Sequence, residues 1–127
     1  MTYAIVFAGA GIGGSLRHGV NVAAARMFGL GFPYGTLIVN LLGSLVMGLL
    51  AGYFLARTGV PQHVRLFLTT GILGGFTTFS AFSLDPALLI ERHAYWTAFA
   101  YAAGSVVLSI AALFAGLILF RTGAYLP

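Results

Sequence analysis

The chain has 127 residues, of which 60% are hydrophobic and only 6% are charged, against roughly one quarter charged in soluble domains. This balance excludes a soluble globular domain and indicates an all-α integral membrane protein. All six basic residues are arginines scattered singly, so the net charge of +4 does not form the dense patch that nucleic-acid binding requires. The absence of cysteine excludes disulfides, thiolate metal sites and thiol catalysis.

Four stretches are long and apolar enough to cross a bilayer, for which about 20 residues suffice. They cover, in chain order, about Tyr3 to Met27, residues 32–56, the stretch from Arg65 to the Asp85–Glu91 region, and about Tyr95 to Phe120. The N-terminus has neither a positively charged region nor a convincing cleavage site, which predicts a mature first helix and not a signal peptide. We therefore predict one transmembrane domain, residues 1–127, with four spanning helices in each subunit.

Arginines are divided almost evenly between the two ends of this predicted bundle. Four spans place both termini on one side, where Arg57, Arg65 and Arg121 also fall, whereas Arg26 and Arg92 fall on the other. Because positive charge orients membrane proteins, three against two is a weak bias, and a chain that inserts both ways can form an antiparallel dimer. A protomer of four short spans is also small for enclosing an aqueous path, which favours an oligomer.

Glycines spaced four residues apart predict close contacts between helices, since small residues let helix backbones approach in a membrane. The pairs are Gly9 and Gly13, Gly48 and Gly52, and Gly71 and Gly75. The first cluster also matches the dinucleotide-binding pattern G-x-G-x-x-G. That interpretation is rejected because it requires an acidic residue about 20 positions later, and the chain has none before Asp85.

The third span carries glycine, threonine, serine and phenylalanine between Gly71 and Ser83, which predicts a helix broken near residues 74–79. Backbone groups freed by a break in hydrocarbon must be satisfied by protein, water or an ion, so the break indicates a site. Unwound backbone of this kind exposes carbonyl oxygens that can coordinate a small cation. Further on, Asp85 followed by Pro86 is typical of a helix N-cap and first turn, and predicts a restart or kink there.

Phe79 and Phe82 are three residues apart and share one face of this span. The edges of aromatic rings are electropositive, so two rings presented edge-on can solvate an anion without binding it tightly. Ordinary core packing is the alternative for such a pair.

Asn40 lies deep in the charge-free second span, with Gly43 and Ser44 on the same helical face. Its amide group offers two donors to an anion. A hydrogen bond between helices that merely holds the bundle together explains the residue equally well.

Tyr101, Ser105 and Ser109 form a hydroxyl stripe along one face of the fourth span, either a polar track or ordinary packing. A serine and histidine catalytic pair is unsupported because His18 and His93 lie near predicted helix ends, so the chain is not expected to be an enzyme. Arg17 is expected near a helix end, where it caps carbonyls, reaches the interface or sets a positive potential at a pore mouth.

Three motifs together resemble the Fluc (CrcB) family of fluoride channels over essentially the whole chain. They are Gly13-Gly-Ser-Leu-Arg17, Pro33-Tyr-Gly-Thr-Leu-Ile-Val-Asn-Leu-Leu-Gly-Ser44 and Gly74-Gly-Phe-Thr-Thr-Phe-Ser-Ala-Phe-Ser83. The resemblance implies an antiparallel, dual-topology homodimer in the bacterial inner membrane that exports fluoride passively through two pores. It also implies a structural sodium ion at the dimer interface.

The resemblance assigns roles to individual residues. Asn40 matches the pore asparagine, and Phe79 and Phe82 match the two pore phenylalanines. Arg17 matches an arginine near the pore entrance, and the carbonyls of Gly74 and Thr77 match the sodium ligands. The polar-track positions are matched by Ser80, Tyr101, Ser105 and Ser109. Two positions depart from the family pattern. Ala81 stands where threonine is frequent, and Asp85 stands where glutamate is usual, which affects the detailed anion path.

Two other functions fit the size of the chain. A dual-topology exporter of organic cations normally requires a carboxylate within the membrane, whereas the only acids here, Asp85 and Glu91, come late and near an interface. A subunit that only packs against other proteins would explain the glycine pairs but not Asn40 or the broken third span.

Overall fold

The computed structural model describes the fold of residues 1–124 and the side chains of residues 1–120. Every regular element in this part of the chain is helical, as predicted. The elements are α1 (Thr2–Phe28), α2 (Tyr34–Ala56), α3 (Gln62–Leu66), a π-helical segment (Phe67–Leu73), α4 (Gly74–Phe76), α5 (Phe79–Glu91) and α6 (Tyr95–Ala124). The elements from α3 to α5 follow one another as a single interrupted rod, which we call the broken rod.

Three of the four predicted spans are long and apolar enough to cross a membrane. They are Tyr34–Ala56, Gln62–Glu91 and Tyr95–Phe120, with mean hydropathies of 2.0, 1.3 and 2.4. The first helix has 27 residues and is about 40 Å long, but it is less apolar because Arg17, His18 and Arg26 interrupt it. Four spans therefore stay a prediction, whereas a multi-pass membrane protein is supported.

Glycines allow α2 and α6 to pack at close range, as the spacing predicts. A methyl group on Gly48 would collide with the carbonyl oxygen of Leu113, and one on Gly52 would lie 3.0 Å from the Phe120 Cβ. From the other side, Gly116 faces the backbone of α2 at Leu49. The two helices thus meet backbone to backbone along their length.

Glycines also bring α1 against the broken rod. A Cβ on Gly9 would lie 2.8 Å from the Gly71 Cα, and one on Gly75 would lie 2.9 Å from the Ala10 Cα. A methyl group on Gly13 would overlap the Ile72 carbonyl oxygen. All three predicted glycine pairs therefore lie in helix contacts.

The broken rod is interrupted at Thr77 and Thr78, within the predicted interval. Both residues are extended, with φ and ψ of −85° and 159° at Thr77 and −150° and 123° at Thr78. The helix restarts at Phe79, because the Thr78 hydroxyl accepts a hydrogen bond from the Ala81 amide at 3.2 Å and caps α5. The predicted restart at Asp85 is wrong, since Pro86 lies inside α5 and Asp85 caps no helix.

The interior of the bundle is small. Among the residues whose side chains are described, only Val39 and Tyr101 are large and fully enclosed, whereas many large apolar side chains of α1 and α6 are exposed. Helices that are apolar on their outer surface are typical of membrane proteins, in which lipid covers them. Tyr101, Leu89 and Ala98 form the main buried cluster, where α5 meets α6.

Candidate functional site

An open groove of about 840 Å³ lies between α2, the broken rod and α6, at the level of the break. We call it the central groove. Its polar and aromatic lining residues are Asn40, Ser44, Thr69, Thr70, Thr77, Thr78, Phe79, Phe82, Ser105 and Ser109, and the rest of its lining is aliphatic or glycine. Five residues that were singled out for an anion path from the sequence, namely Asn40, Phe79, Phe82, Ser105 and Ser109, therefore line one cavity.

The side chain of Asn40 clamps the break in the broken rod. Its Nδ2 donates to the Thr78 carbonyl at 3.2 Å, and its Oδ1 accepts from the Thr78 amide at 3.0 Å. The side-chain amide of Asn40 thus takes the place of the backbone hydrogen-bond partners that Thr78 would have in a continuous helix. The interhelical bond considered from the sequence is present, and the side chain keeps a second Nδ2 hydrogen that no described protein atom accepts.

At the break, two carbonyl groups lose their regular helical donors, one to Asn40 and one to the Thr78 cap. In an α-helix the Thr78 amide would donate to the Gly74 carbonyl and the Ala81 amide to the Thr77 carbonyl. Here the first donates to Asn40 and the second to the Thr78 hydroxyl. Free carbonyl oxygens at a broken helix are hard ligands that suit a small cation. The carbonyl oxygens of Gly74 and Thr77 are therefore candidate ligands for a small cation such as sodium.

Phe79 and Phe82 lie side by side on α5, with ring centroids 5.7 Å apart and planes inclined by 50°. Phe82 is half-buried and also contacts Tyr101, at a centroid distance of 5.6 Å. Phe79 is 78% exposed and extends away from the subunit. One ring is thus fixed within the protomer and the other is available to a partner or a ligand.

The predicted hydroxyl stripe on α6 divides into two parts. Ser105 and Ser109 line the central groove, and the buried Ser105 hydroxyl has no hydrogen-bond partner among the described residues. Tyr101 does not line the groove. Its hydroxyl is buried and donates to Asp85 Oδ2 at 3.0 Å. An unsatisfied buried hydroxyl is unfavourable, so Ser105 is the member of the stripe with free capacity for a ligand.

Ser80 and Arg17 lie outside the lining of the central groove. Ser80 is exposed, and its Oγ lies 3.3 Å from the Thr78 Oγ1, so it adjoins the break. Arg17 is half-buried and lies well inside α1 (Thr2–Phe28), one turn after Gly13, so its expected place near a helix end is wrong because the helix continues to Phe28. Their assignment to the anion path stays a prediction.

Two threonines that the sequence analysis did not single out belong to this region. Thr78 caps α5 and is held by Asn40. Its sequence signal was its position directly before Phe79, because threonine is a favoured residue at the start of a helix. Thr36 is buried, with 7% of its surface exposed, and its side chain interacts with the Tyr101 hydroxyl. It lies one helical turn before Asn40, a spacing that would have revealed it.

The fold and the groove define a multi-pass helical membrane protein with a largely apolar cavity, into which a few amide and hydroxyl groups are set, at a helix break. Residues 4–117 match the family model described as CrcB-like protein, Camphor Resistance (CrcB). The chain belongs to this family.

Relatives named "Fluoride-specific ion channel FluC" are similar over almost the whole chain. The protein from Rhodopseudomonas palustris (strain BisB5) is 61% identical over 121 residues, which is 95% of this chain and 98% of the relative. The protein from Methylobacterium nodulans is 61% identical over 117 residues, covering 92% and 94%. The protein from Granulibacter bethesdensis is 57% identical over 122 residues, covering 96% of each chain.

Proposed function

We propose that this protein is a fluoride-selective channel that exports fluoride passively from the cytoplasm. The observation that carries the proposal is the convergence of Asn40, the two phenylalanines and the two serines on the central groove. It is supported by relatives that are named as fluoride-specific channels. The groove would form the wall of the anion path, and the protein would act as a channel and not as an enzyme.

The chemistry of the groove suits a small and strongly hydrated anion. Conduction requires sites that replace water and yet release the ion, so several weak donors are better than one fixed cation. No arginine, lysine or histidine is among the described lining residues. The free amide hydrogen of Asn40, the serine hydroxyls and the electropositive ring edges of the phenylalanines are all neutral donors.

The pore is completed by a second copy of the chain. The central groove is open on one side and Phe79 projects from the protomer, so a partner is needed to exclude lipid from the path. The even division of arginines between the two ends favours insertion in both orientations and an antiparallel homodimer with two pores. Arg121 contributes to this count, although its side chain lies outside the described residues. The relatives are bacterial, which favours the inner membrane as the location.

The homodimer interface would hold a structural sodium ion at the carbonyls of Gly74 and Thr77 from both subunits. Sodium, when bound, supplies a positive charge that satisfies carbonyl groups left without helical donors. The chain itself contributes Asn40, which diverts the donor of the Gly74 carbonyl, and the Thr78 hydroxyl, which diverts the donor of the Thr77 carbonyl. The broken rod is thereby held in one shape.

The test is fluoride efflux from liposomes. Purified protein is reconstituted in vesicles loaded with potassium fluoride, and external fluoride is followed with an electrode after valinomycin is added. We expect rapid electrogenic efflux of fluoride and little efflux of chloride under the same conditions. Absence of fluoride efflux, or comparable passage of chloride, would contradict the proposal.

A further inference from the structure

A second cleft lies away from the central groove, where α2 ends and the broken rod begins. It encloses about 760 Å³, and residues 57–61 of the connecting loop line one side of it. Its apolar wall is formed by Leu50, Tyr53, Phe54, Val64 and Leu68. We call it the α2–α3 cleft. It has no role in the proposed fluoride path.

One arginine, Arg57, lines this cleft, and a second, Arg65, lies against a ring of its wall. The Arg57 guanidinium lies 5.7 Å from the centroid of the Tyr53 ring, and the Arg65 guanidinium lies 5.3 Å from that of Phe54. Both rings belong to the cleft wall. The Arg65 Nε is buried and has no hydrogen-bond partner among the residues whose side chains are described.

None of the residues whose side chains are described supplies a carboxylate at this end. The only acids of the chain are Asp85 and Glu91, and both lie in α5. The broken rod starts beside the end of α2 and runs back, so Glu91 at the end of α5 lies at the opposite end of the bundle. The α2–α3 cleft therefore combines two positive charges with an apolar wall.

We propose that the α2–α3 cleft binds one anionic phospholipid in each subunit, with its phosphate on Arg57 and Arg65 and an acyl chain against the apolar wall. Arginine presents a planar fork that matches phosphate. The span Tyr34–Ala56 ends directly before Arg57, so the charges lie at headgroup level and the apolar wall lies deeper. A free phosphate would contact only the arginines, whereas a phospholipid would also cover the apolar wall with its acyl chain, so the cleft suits the lipid better. The proposal requires only that these helices span a bilayer, so it stands or falls independently of fluoride conduction.

Native mass spectrometry of the full-length protein, released from detergent, tests the proposal. The probes are phosphatidylglycerol and phosphatidylcholine with identical acyl chains. We expect selective retention of one phosphatidylglycerol per chain. In the variant R57Q/R65Q the apparent affinity should fall about tenfold or more, the effect of losing roughly one charge-assisted hydrogen bond. R26Q is the matched control, because Arg26 is an exposed arginine at the other end of the bundle.

Further variants separate the source of binding from damage to the fold. R57Q alone alters an exposed side chain and should also weaken phosphatidylglycerol binding. Val60→Trp fills the cleft without changing its charge and should displace the lipid. Equal retention of both lipids, an equal loss in R26Q, unchanged binding in R57Q/R65Q, or displacement of the lipid by inorganic phosphate at comparable concentration would overturn the proposal.

Discussion

Asn40 on α2 and Thr78 in the broken rod are joined by two hydrogen bonds, of 3.2 Å and 3.0 Å, although they are 38 residues apart in the chain. Through these bonds Asn40 holds Thr78 extended and keeps the Thr78 amide away from the Gly74 carbonyl. One amide hydrogen of Asn40, which lines the central groove, has no described acceptor. In the proposed channel this hydrogen would contact the anion, so one side chain would both hold the break and contact the ion.

Replacement of Asn40 should affect both the break and the anion path. In N40D the Oδ1 acceptor for the Thr78 amide is kept, but an oxygen replaces the Nδ2 donor to the Thr78 carbonyl, so one bond of the clamp is lost and the negative charge repels an anion. We expect no fluoride efflux and a lower unfolding free energy than in the wild-type protein. In N40A both bonds are lost, and the unfolding free energy should fall by about 1–3 kcal/mol as buried backbone groups lose their partners. Liposome efflux and thermal unfolding measure the two effects. Asn21→Ala is the control, since Asn21 is exposed on α1 and does not line the groove.

Replacement of either phenylalanine by isoleucine should abolish fluoride efflux while the proposed dimer stays assembled. Isoleucine keeps the apolar bulk of Phe79 or Phe82 but has no electropositive ring edge. Efflux and size-exclusion chromatography are measured on each variant. Phe99→Ile is the control, because Phe99 is exposed on α6 outside the groove lining. Wild-type flux in either test variant would remove the rings from the mechanism.

Ser105→Ala should lower fluoride efflux without lowering stability. The Ser105 hydroxyl is buried and has no described partner, so its removal relieves an unfavourable group and should leave stability unchanged or raise it by about 1 kcal/mol. Ser83→Ala is the control, because the Ser83 hydroxyl is exposed and donates to the Phe79 carbonyl at 3.0 Å. A Ser105→Ala protein that is destabilised and conducts normally would identify the serine as a packing residue.

Removal of sodium should abolish efflux and lower the thermal stability of the proposed dimer. Without a cation, the carbonyls of Gly74 and Thr77 would face each other across the proposed interface and repel. The protein is exchanged into a buffer of a large organic cation, and residual sodium is measured by elemental analysis. Re-addition of sodium should restore efflux. Unchanged efflux from protein shown to be free of sodium would rule out a structural need for the ion.

Gly13→Ala and Gly11→Ala should have opposite effects on stability. A methyl group on Gly13 would overlap the Ile72 carbonyl, so α1 must move away from the broken rod at a cost of about 1–3 kcal/mol. A methyl group on Gly11 meets nothing within 4 Å in the protomer, and better helix propensity should add roughly 0.5–1 kcal/mol. Thermal unfolding in detergent compares the two variants. Equal effects would contradict the packing of α1 described above.

Local chemistry explains why the spans, the break and the glycine pairs were predictable. Hydropathy and helix propensity depend on residues that are close together in the chain. The local sequence therefore predicts the helices Tyr34–Ala56 and Tyr95–Ala124 and the interruption at Thr77. The glycine pairs followed for the same reason, because a four-residue spacing already defines one helical face.

Contacts between distant segments were decided only by the tertiary structure. From the sequence, Asn40 was equally suited to an anion and to an interhelical bond, and only the position of Thr78 beside it shows that the bond forms. Asp85 had the local pattern of a helix cap, yet α5 starts earlier at the Thr78 cap, and the carboxylate instead accepts a hydrogen bond from Tyr101 on α6. Hydrogen-bonding capacity belongs to each residue by itself, whereas its partner depends on how the helices pack.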